Sequence, residues 1–205
     1  MNWFRALAWG FTGLLAGCGS VAVPSTRYYR LQLPPVRSEP AMAGGVLRVA
    51  DLQLGQALSG DQLLVGSGGV QLWPREFERW IAPLDRLVTD AVAMGLMRTR
   101  AFALVRGAAD GGSEDLTVHG RILDFTELQP AAVGRVALEL WVERQGRPVL
   151  HGEFVAAVPI AEAGAAGAVQ ALSKGLAEVV DQLLVRMRAA GLFALAPLPE
   201  AQPPR

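Results

Sequence analysis

The sequence predicts one α+β domain, in which a single mixed and mostly antiparallel β-sheet carries two main amphipathic helices. Several short stretches alternate apolar and polar residues, as half-buried strands do. Two longer stretches repeat apolar residues at the spacing of one helix face. The length of 205 residues suits one ordinary domain with tails. We expect the order β-β-β-α-β-β-β-β-α, with both helices grouped against one face of the sheet.

Three strands are predicted before the first helix. Residues 28–33 form the first, which ends at Pro34-Pro35 because proline cannot continue a ladder of backbone hydrogen bonds. Residues 46–54 form the second, and residues 62–72 form the third. The glycine-rich segment 66–69 interrupts the third strand, and glycine inside a strand pattern predicts a bulge or a bend.

The first helix is predicted at residues 82–99. Pro83 suits the first helical position, where the missing N–H costs nothing, and Arg98 and Arg100 suit the C-terminal end. The apolar residues follow the pattern i, i+3, i+4, i+7, i+8, i+11 and share one face. They are Leu84, Leu87, Val88, Ala91, Val92 and Gly95.

Four more strands are predicted after this helix. They cover residues 101–105, 116–128, 135–144 and 149–158. The alternation changes phase within the second of them, which predicts a bulge near Ile122. Gln145-Gly146 lies between the last two and favours a hairpin turn.

A second helix and a tail complete the chain. The helix is predicted at residues 167–190, with Gly191 as its stop signal. Its apolar face consists of Val169, Leu172, Leu176, Val179, Val180, Leu183, Leu184 and Met187. Residues 192–205 are rich in proline and alanine, and we expect this tail to be disordered.

Composition excludes several classes of function. Nineteen basic and 19 acidic residues balance, so no basic excess favours nucleic-acid binding. Cys18 is the single cysteine, which rules out an intrachain disulfide and a multi-cysteine metal site. The two histidines, His119 and His151, are too few for a histidine-rich metal site.

The N-terminus has the layout of a secretory signal. In residues 1–17, Arg5 is the only charged side chain, and an apolar run of about ten residues follows. This run is shorter than the ~20 residues of a membrane span. It ends at Leu15-Ala16-Gly17-Cys18, which resembles the lipobox of bacterial lipoproteins. The alternative is an unmodified signal with Cys18 incidental.

The lipobox resemblance divides the chain. It implies a signal peptide at 1–17, acylation of Cys18 after cleavage, and a lipidated tether at 18–27. Acyl chains hold a protein on a bilayer by burying their CH₂ groups. Gly19 stands where an aspartate would favour retention in the inner membrane, so the resemblance implies the outer membrane, facing the periplasm.

The search for catalytic motifs finds none. Ser67 lacks the glycine two positions before it that a nucleophile elbow requires, because that position is Val65. Lys174 is followed by Gly175, not by the serine or threonine of a phosphate-binding loop. His119 and His151 lie in separate predicted strands, where a solvent-facing histidine is more common than a ligand. We therefore predict a protein that is not an enzyme and binds no metal.

Three aromatic residues precede the first helix: Trp73, Phe77 and Trp80. Such a cluster usually packs in the core at the start of a helix. Charged residues alternate with the rings at positions 75–79, which leaves an exposed binding surface as the other interpretation.

The chain resembles the ABC-type transport auxiliary lipoproteins, the PqiC-like family. The resemblance begins with Cys18 and Tyr28-Tyr29-Arg30-Leu31, similar to the family's first strand. It continues through Glu76-Phe77-Glu78-Arg79-Trp80-Ile81-Ala82-Pro83-Leu84, although Phe77 stands one place from where a tyrosine is common. The order of lipobox, strands, motif, helix, strands and final helix also agrees. The resemblance covers nearly all of residues 18–191, with the family domain at 28–191.

This resemblance implies a non-enzymatic adaptor without a cofactor, apart from the covalent lipid on Cys18. The expected partner is a periplasmic MCE-domain protein of an ABC lipid transporter, on which family members dock or around which they form a homo-oligomeric ring. The expected location is the outer membrane. The candidate residues for partner binding or packing are Trp73, Phe77, Trp80, Pro83 and Leu84.

Two other functions stay open. One is an outer-membrane assembly or envelope-integrity lipoprotein that is not tied to MCE transport. The other is a lipoprotein hydrolase, which would need a cleft around His119 or His151.

Overall fold

The computed structural model of the protein describes residues 24–35, 44–67 and 69–193. The predicted signal peptide, Cys18 and the tether up to residue 23 lie outside the described residues. The same holds for residues 194–205 of the predicted tail.

The described residues form nine strands and two α-helices, which confirms the predicted α+β class. The strands are Arg27–Tyr29 (β1), Gly44–Val49 (β2), Gln53–Leu54 (β3), Gln62–Ser67 (β4), Gln71–Trp80 (β5), Phe102–Arg106 (β6), Leu116–Gln129 (β7), Val133–Arg144 (β8) and Arg147–Pro159 (β9). The helices are Leu84–Thr99 (α1) and Ala165–Ala189 (α2), and a short 3₁₀ turn spans Gln56–Leu58.

The long strand β7 organises the sheet. Its antiparallel partner β8 lies along nearly its whole length, and β9 pairs antiparallel with the other side of β8. The opposite edge of β7 pairs in turn with β2, β3 and β4, all parallel to it. β6 extends the sheet beyond β2, while β5 and then β1 extend it beyond β4. The sheet is therefore mixed, and its two longest ladders are antiparallel as predicted.

Both helices pack on the same face of this sheet. A Cβ atom on Gly95 of α1 would lie 3.4 Å from the Val180 side chain of α2, so the two helices are in close contact. α2 approaches β8 at Gly134, where a Cβ atom would lie 2.9 Å from that of Ala171. The core between helices and sheet includes Phe125, Phe154, Leu138, Leu140, Leu176, Leu183 and Met187, each fully buried. Among the described residues, no helix combines the length and the hydropathy that crossing a bilayer requires.

The prediction of one interrupted strand at 62–72 is wrong. The chain reverses there, and β4 and β5 form an antiparallel hairpin. The reversal uses Gly69, whose φ of +76° favours glycine, and the backbone N–H of Val70 donates to the carbonyl of Ser67 at 3.4 Å. The aromatic motif consequently lies on a strand.

Two other predicted strands are shorter in the structure. β1 ends at Tyr29, after which the Gln32 N–H donates to the Ser173 hydroxyl of α2 at 3.2 Å and Leu33 enters the core. The stretch at 46–54 is divided into β2 and β3. Between them the Leu52 N–H donates to Thr89 Oγ1 of α1 at 3.0 Å, so a helix replaces the sheet as hydrogen-bonding partner.

Several local predictions are confirmed. The pairing of β7 with β8 shifts register between Ile122 and Asp124, where the bulge was expected. Gln145 and Gly146 both have positive φ, 52° and 73°, as the hairpin turn requires. Gly191 follows α2 with a φ of +67°. Unlike the predicted disordered tail to which they were assigned, Leu192 and Phe193 are buried, and Phe193 packs against Phe102 with ring centroids 5.2 Å apart.

Candidate functional site

The residues of the predicted aromatic motif have different environments. Trp80 is only 3% exposed and meets Phe125 edge to face, with ring centroids 5.8 Å apart. Leu84 is equally buried at the start of α1. Phe77 is half-buried, whereas Trp73 is 40% exposed near the turn of the β4–β5 hairpin. Trp80 and Leu84 therefore pack in the core, whereas Trp73 lies at the surface.

The sequence predicted Pro83 at the first position of α1. In the structure Pro83 precedes the helix, which begins at Leu84. Its backbone is extended, with φ −51° and ψ 136°, and its side chain is exposed. Its carbonyl accepts the N–H of Leu87 at 3.0 Å, which closes the first turn of the helix. Pro83 thus sets the start of α1 and also lines a surface groove beside this helix.

The face of β7, β8 and β9 that turns away from the helices carries a second cluster, the open face. We define it by His119, Arg121, Glu139, Trp141, Glu143 and His151. Strand register places His119, Trp141 and His151 directly opposite one another in one row across the three strands. The alternate positions of β8 point the other way and are buried: Val136, Leu138, Leu140 and Val142.

Ring stacking, one arginine–glutamate ion pair and two histidine–glutamate contacts hold the open face together. The His119 and Trp141 rings stack at 12° with centroids 5.8 Å apart. Nε2 of His119 lies 3.4 Å from Glu143 Oε2, and Nε2 of His151 lies 3.1 Å from Glu139 Oε1. Arg121 Nη1 contacts the other oxygen of Glu139 at 3.5 Å. The His151 side chain is 61% exposed, so these are surface pairs with small individual energies.

The two histidine–glutamate pairs stand on opposite sides of the Trp141 ring, because Glu139 and Glu143 lie two positions before and after it on β8. Each histidine therefore contacts a carboxylate on an exposed sheet surface. In the described part of the chain, no group of three or more His, Cys, Asp and Glu side chains is arranged to hold a metal ion. The open face thus carries the half-buried Trp141 ring between two histidine–carboxylate contacts.

Trp141 is the main residue that the sequence search missed. A signal for it was present, since the alternation predicted for residues 135–144 already points Glu139 and Glu143 away from the core. Trp141 has the same parity as these glutamates, so the same reasoning places its ring on the outer face. Register across three strands then joins it to both histidines, which no local pattern reveals.

Two surface grooves have the volume of a small-molecule site. The larger, about 630 Å³, lies beside the N-terminal part of α1 and is lined by Asp51, Asp85, Arg86, Asp90 and Asp110 among others. The smaller, about 390 Å³, lies between the segment after β1 and α2, and Arg30, Gln32, Ser173 and Lys174 contribute to it. Five of the eleven residues that line the larger groove are charged, whereas the smaller groove is also lined by Leu33, Pro34, Pro35 and Val169.

Comparison with known families gives one match. The model of the ABC-type transport auxiliary lipoprotein component matches residues 29–183, which is most of the described chain. The match contains β5, α1 and the whole open face. No curated protein matches the sequence.

Solved structures share the fold. A Xanthomonas campestris protein of family DUF330 is 17% identical, with a TM-score of 0.68 over 80% of this chain and 96% of that one. An uncharacterised protein is also 17% identical, with a TM-score of 0.64 over 80% of this chain and 99% of its own. The PelC dodecamer from Paraburkholderia phytofirmans reaches a TM-score of only 0.42 at 12% identity, covering 73% of this chain and 96% of its own. That likeness is too low to support an oligomeric state here.

Proposed function

Because the chain belongs to the family of ABC-type transport auxiliary lipoprotein components, we propose that it is the outer-membrane adaptor of an MCE-type ABC transporter that moves lipid between the two membranes. The observation that carries this proposal is the family match over residues 29–183. In this role the protein binds a periplasmic MCE-domain protein, catalyses no reaction and supports the integrity of the envelope.

The proposed anchor is acyl lipid on Cys18. The sequence around it resembles a lipobox, and the family is one of lipoproteins. Two or more acyl chains give stable membrane attachment. An anchor also confines the folded domain near one membrane and raises its effective concentration for a partner there.

The proposed docking surface for the MCE-domain protein is the open face. Tryptophan and arginine are enriched at protein interfaces, and the open face presents Trp141 and Arg121 side by side with carboxylates and imidazoles.

Copurification tests this function. The intact, acylated chain with a C-terminal tag is expressed at its native level and extracted in mild detergent, and the bound proteins are identified. We expect an MCE-domain protein and the subunits of an ABC transporter. A well-expressed and acylated protein that captures no MCE-domain protein contradicts the proposal. Capture of an outer-membrane assembly complex in its place would support the alternative function.

A further inference from the structure

The tip of the β4–β5 hairpin is unusually apolar for an exposed turn. No charged residue occurs between Asp61 and Arg75, so the hairpin reaches its turn without a single charge. Near this turn Val70 is 88% exposed, Leu72 is 47% exposed and Trp73 is 40% exposed. Exposed apolar side chains that cluster at one end of a hairpin mark a contact surface.

The exposed side chains occupy both faces of the hairpin. Leu72 lies opposite Gly66, and a Cβ atom on Gly66 would lie 3.2 Å from both the Leu72 and the Leu128 side chains. Trp73 lies opposite Val65, one residue further along, and successive residues of a strand point to opposite faces. A partner that docks on a flat surface would cover one face only, whereas a lipid environment contacts both.

A second uncharged loop lies at the same end of the sheet. Parallel pairing places Ser67 at the end of β4 beside Gln129 at the end of β7. The loop that follows β7 exposes Pro130 and Ala131, and the stretch from Leu128 to Gly134 contains no charge. We call this surface the apolar end and define it by Val70, Leu72, Trp73, Pro130 and Ala131.

The N-terminal segment leads toward the apolar end. β1 pairs parallel to β5, with Arg27 beside Glu78, so the chain before Arg27 leaves the sheet in the direction of Gln71 and the hairpin turn. Glu78 lies seven positions after Gln71, which is about 23 Å of strand. Arg27 lies nine positions after Cys18, and a segment of this length can span up to about 30 Å. A lipid on Cys18 can therefore reach the level of the apolar end.

We propose that the apolar end inserts into the surface of the bilayer that holds the acyl chains of Cys18; this inference rests on the proposed lipid anchor. Trp73 supplies a ring of the kind that is enriched at membrane–water interfaces. Arg75 is the first charged residue after the hairpin turn, and its Nη2 forms an ion pair with Glu127 Oε2 at 2.6 Å. This ion pair marks the polar border of the inserted part. The insertion holds the domain in one orientation, which a flexible tether alone does not.

The test places one fluorescent label at the tip of the intact, acylated protein. Acylation blocks the thiol of Cys18, so a Val70→Cys variant carries a single reactive thiol for an NBD label. The matched control is Val185→Cys, because Val185 is 62% exposed. α2 begins beside the apolar end, and Val185 lies about 30 Å further along this helix. Both proteins are reconstituted into phosphatidylethanolamine–phosphatidylglycerol vesicles.

We expect the NBD emission at position 70 to shift to the blue and to be quenched by nitroxide lipids, while position 185 stays water-exposed. A water-exposed label at position 70 in protein that is acylated and floats with the vesicles overturns the insertion and leaves the anchor intact. A blue shift without lipid quenching, dependent on protein concentration, overturns it in favour of a second copy as the occupant. If the unchanged chain, expressed in a bacterium that processes lipoproteins, carries no acyl chain on Cys18 and does not float with the vesicles, both proposals are overturned.

Discussion

Trp80 and Phe125 meet edge to face, with ring centroids 5.8 Å apart and ring planes at 66°. This contact joins β5 to β7 inside the core, close to where the first helix begins. Trp73 lies seven residues earlier on the same strand and is 40% exposed. The motif thus has one tryptophan in the core and one at the surface, and substitutions at the two positions should differ in their effect on stability.

Trp80→Ala should destabilise the fold strongly. Removing a buried aromatic side chain costs about 3–5 kcal/mol, because the lost contacts leave a cavity. Trp73→Ala at the exposed end of the strand should change the free energy of unfolding by about 0.5 kcal/mol or less. Urea denaturation of the two purified variants measures the difference, and equal losses would contradict the assignment of Trp80 alone to the core.

Gly134→Ala should weaken the packing of α2 on β8. The added Cβ atom would lie 2.9 Å from that of Ala171 and 3.0 Å from the backbone nitrogen of Leu172, so the helix must move. Overpacking of this kind costs about 1–3 kcal/mol. Gly111→Ala is the control, since nothing lies within 4 Å of its Cβ position, and we expect it to be neutral or slightly stabilising. Thermal unfolding compares them, and similar melting temperatures would refute the close approach.

Trp141→Ala should reduce partner capture with little loss of stability. The ring stacks on His119 at the surface of the sheet, and a cross-strand pair of this kind contributes about 0.2–1 kcal/mol. Copurified MCE-domain protein is quantified against the unchanged chain, and Val185→Ala is the control on the exposed side of α2. Undiminished capture by folded Trp141→Ala protein would remove the open face from the interface.

Cys18→Ser should release the protein from the membrane. The variant has no thiol to acylate, so it should lose palmitate labelling and fractionate with the soluble periplasmic proteins. Fractionation of cells that express each form provides the measurement. Continued membrane attachment of the variant would contradict the proposed anchor.

Local chemistry made part of the fold predictable. Gln145-Gly146 forms its turn because both residues tolerate positive φ, and the phase change near Ile122 produces a bulge because one extra residue must be accommodated. Both helices were found from their apolar faces, whose members are buried in the structure, with Leu87 only partly so. These features depend on residues close together in sequence.

The β4–β5 hairpin was missed because β5 does not look like a strand. It contains Pro74 and a run of charged residues, both of which argue against a strand in the middle of a sheet. Among the described residues, β1 pairs with β5 only from Glu78 to Trp80. On that edge of β5, Pro74 has no neighbouring strand in the described part of the chain, so its missing N–H breaks no hydrogen bond between strands there. The open face could not be predicted either, because strand pairing brings its residues together and a single sequence does not show which residues pair.

We propose that the open face binds a periplasmic MCE-domain protein, and photocrosslinking in living cells detects such a contact at a chosen residue. A photoreactive amino acid replaces Trp141 in one strain and Val185 in another, and mass spectrometry identifies the products. We predict a crosslink to an MCE-domain protein from position 141 and none from position 185. A crosslink to an MCE-domain protein from position 185 alone would support the partner but would show that the open face is not the binding surface. The absence of any MCE-domain protein from either strain would contradict the claim.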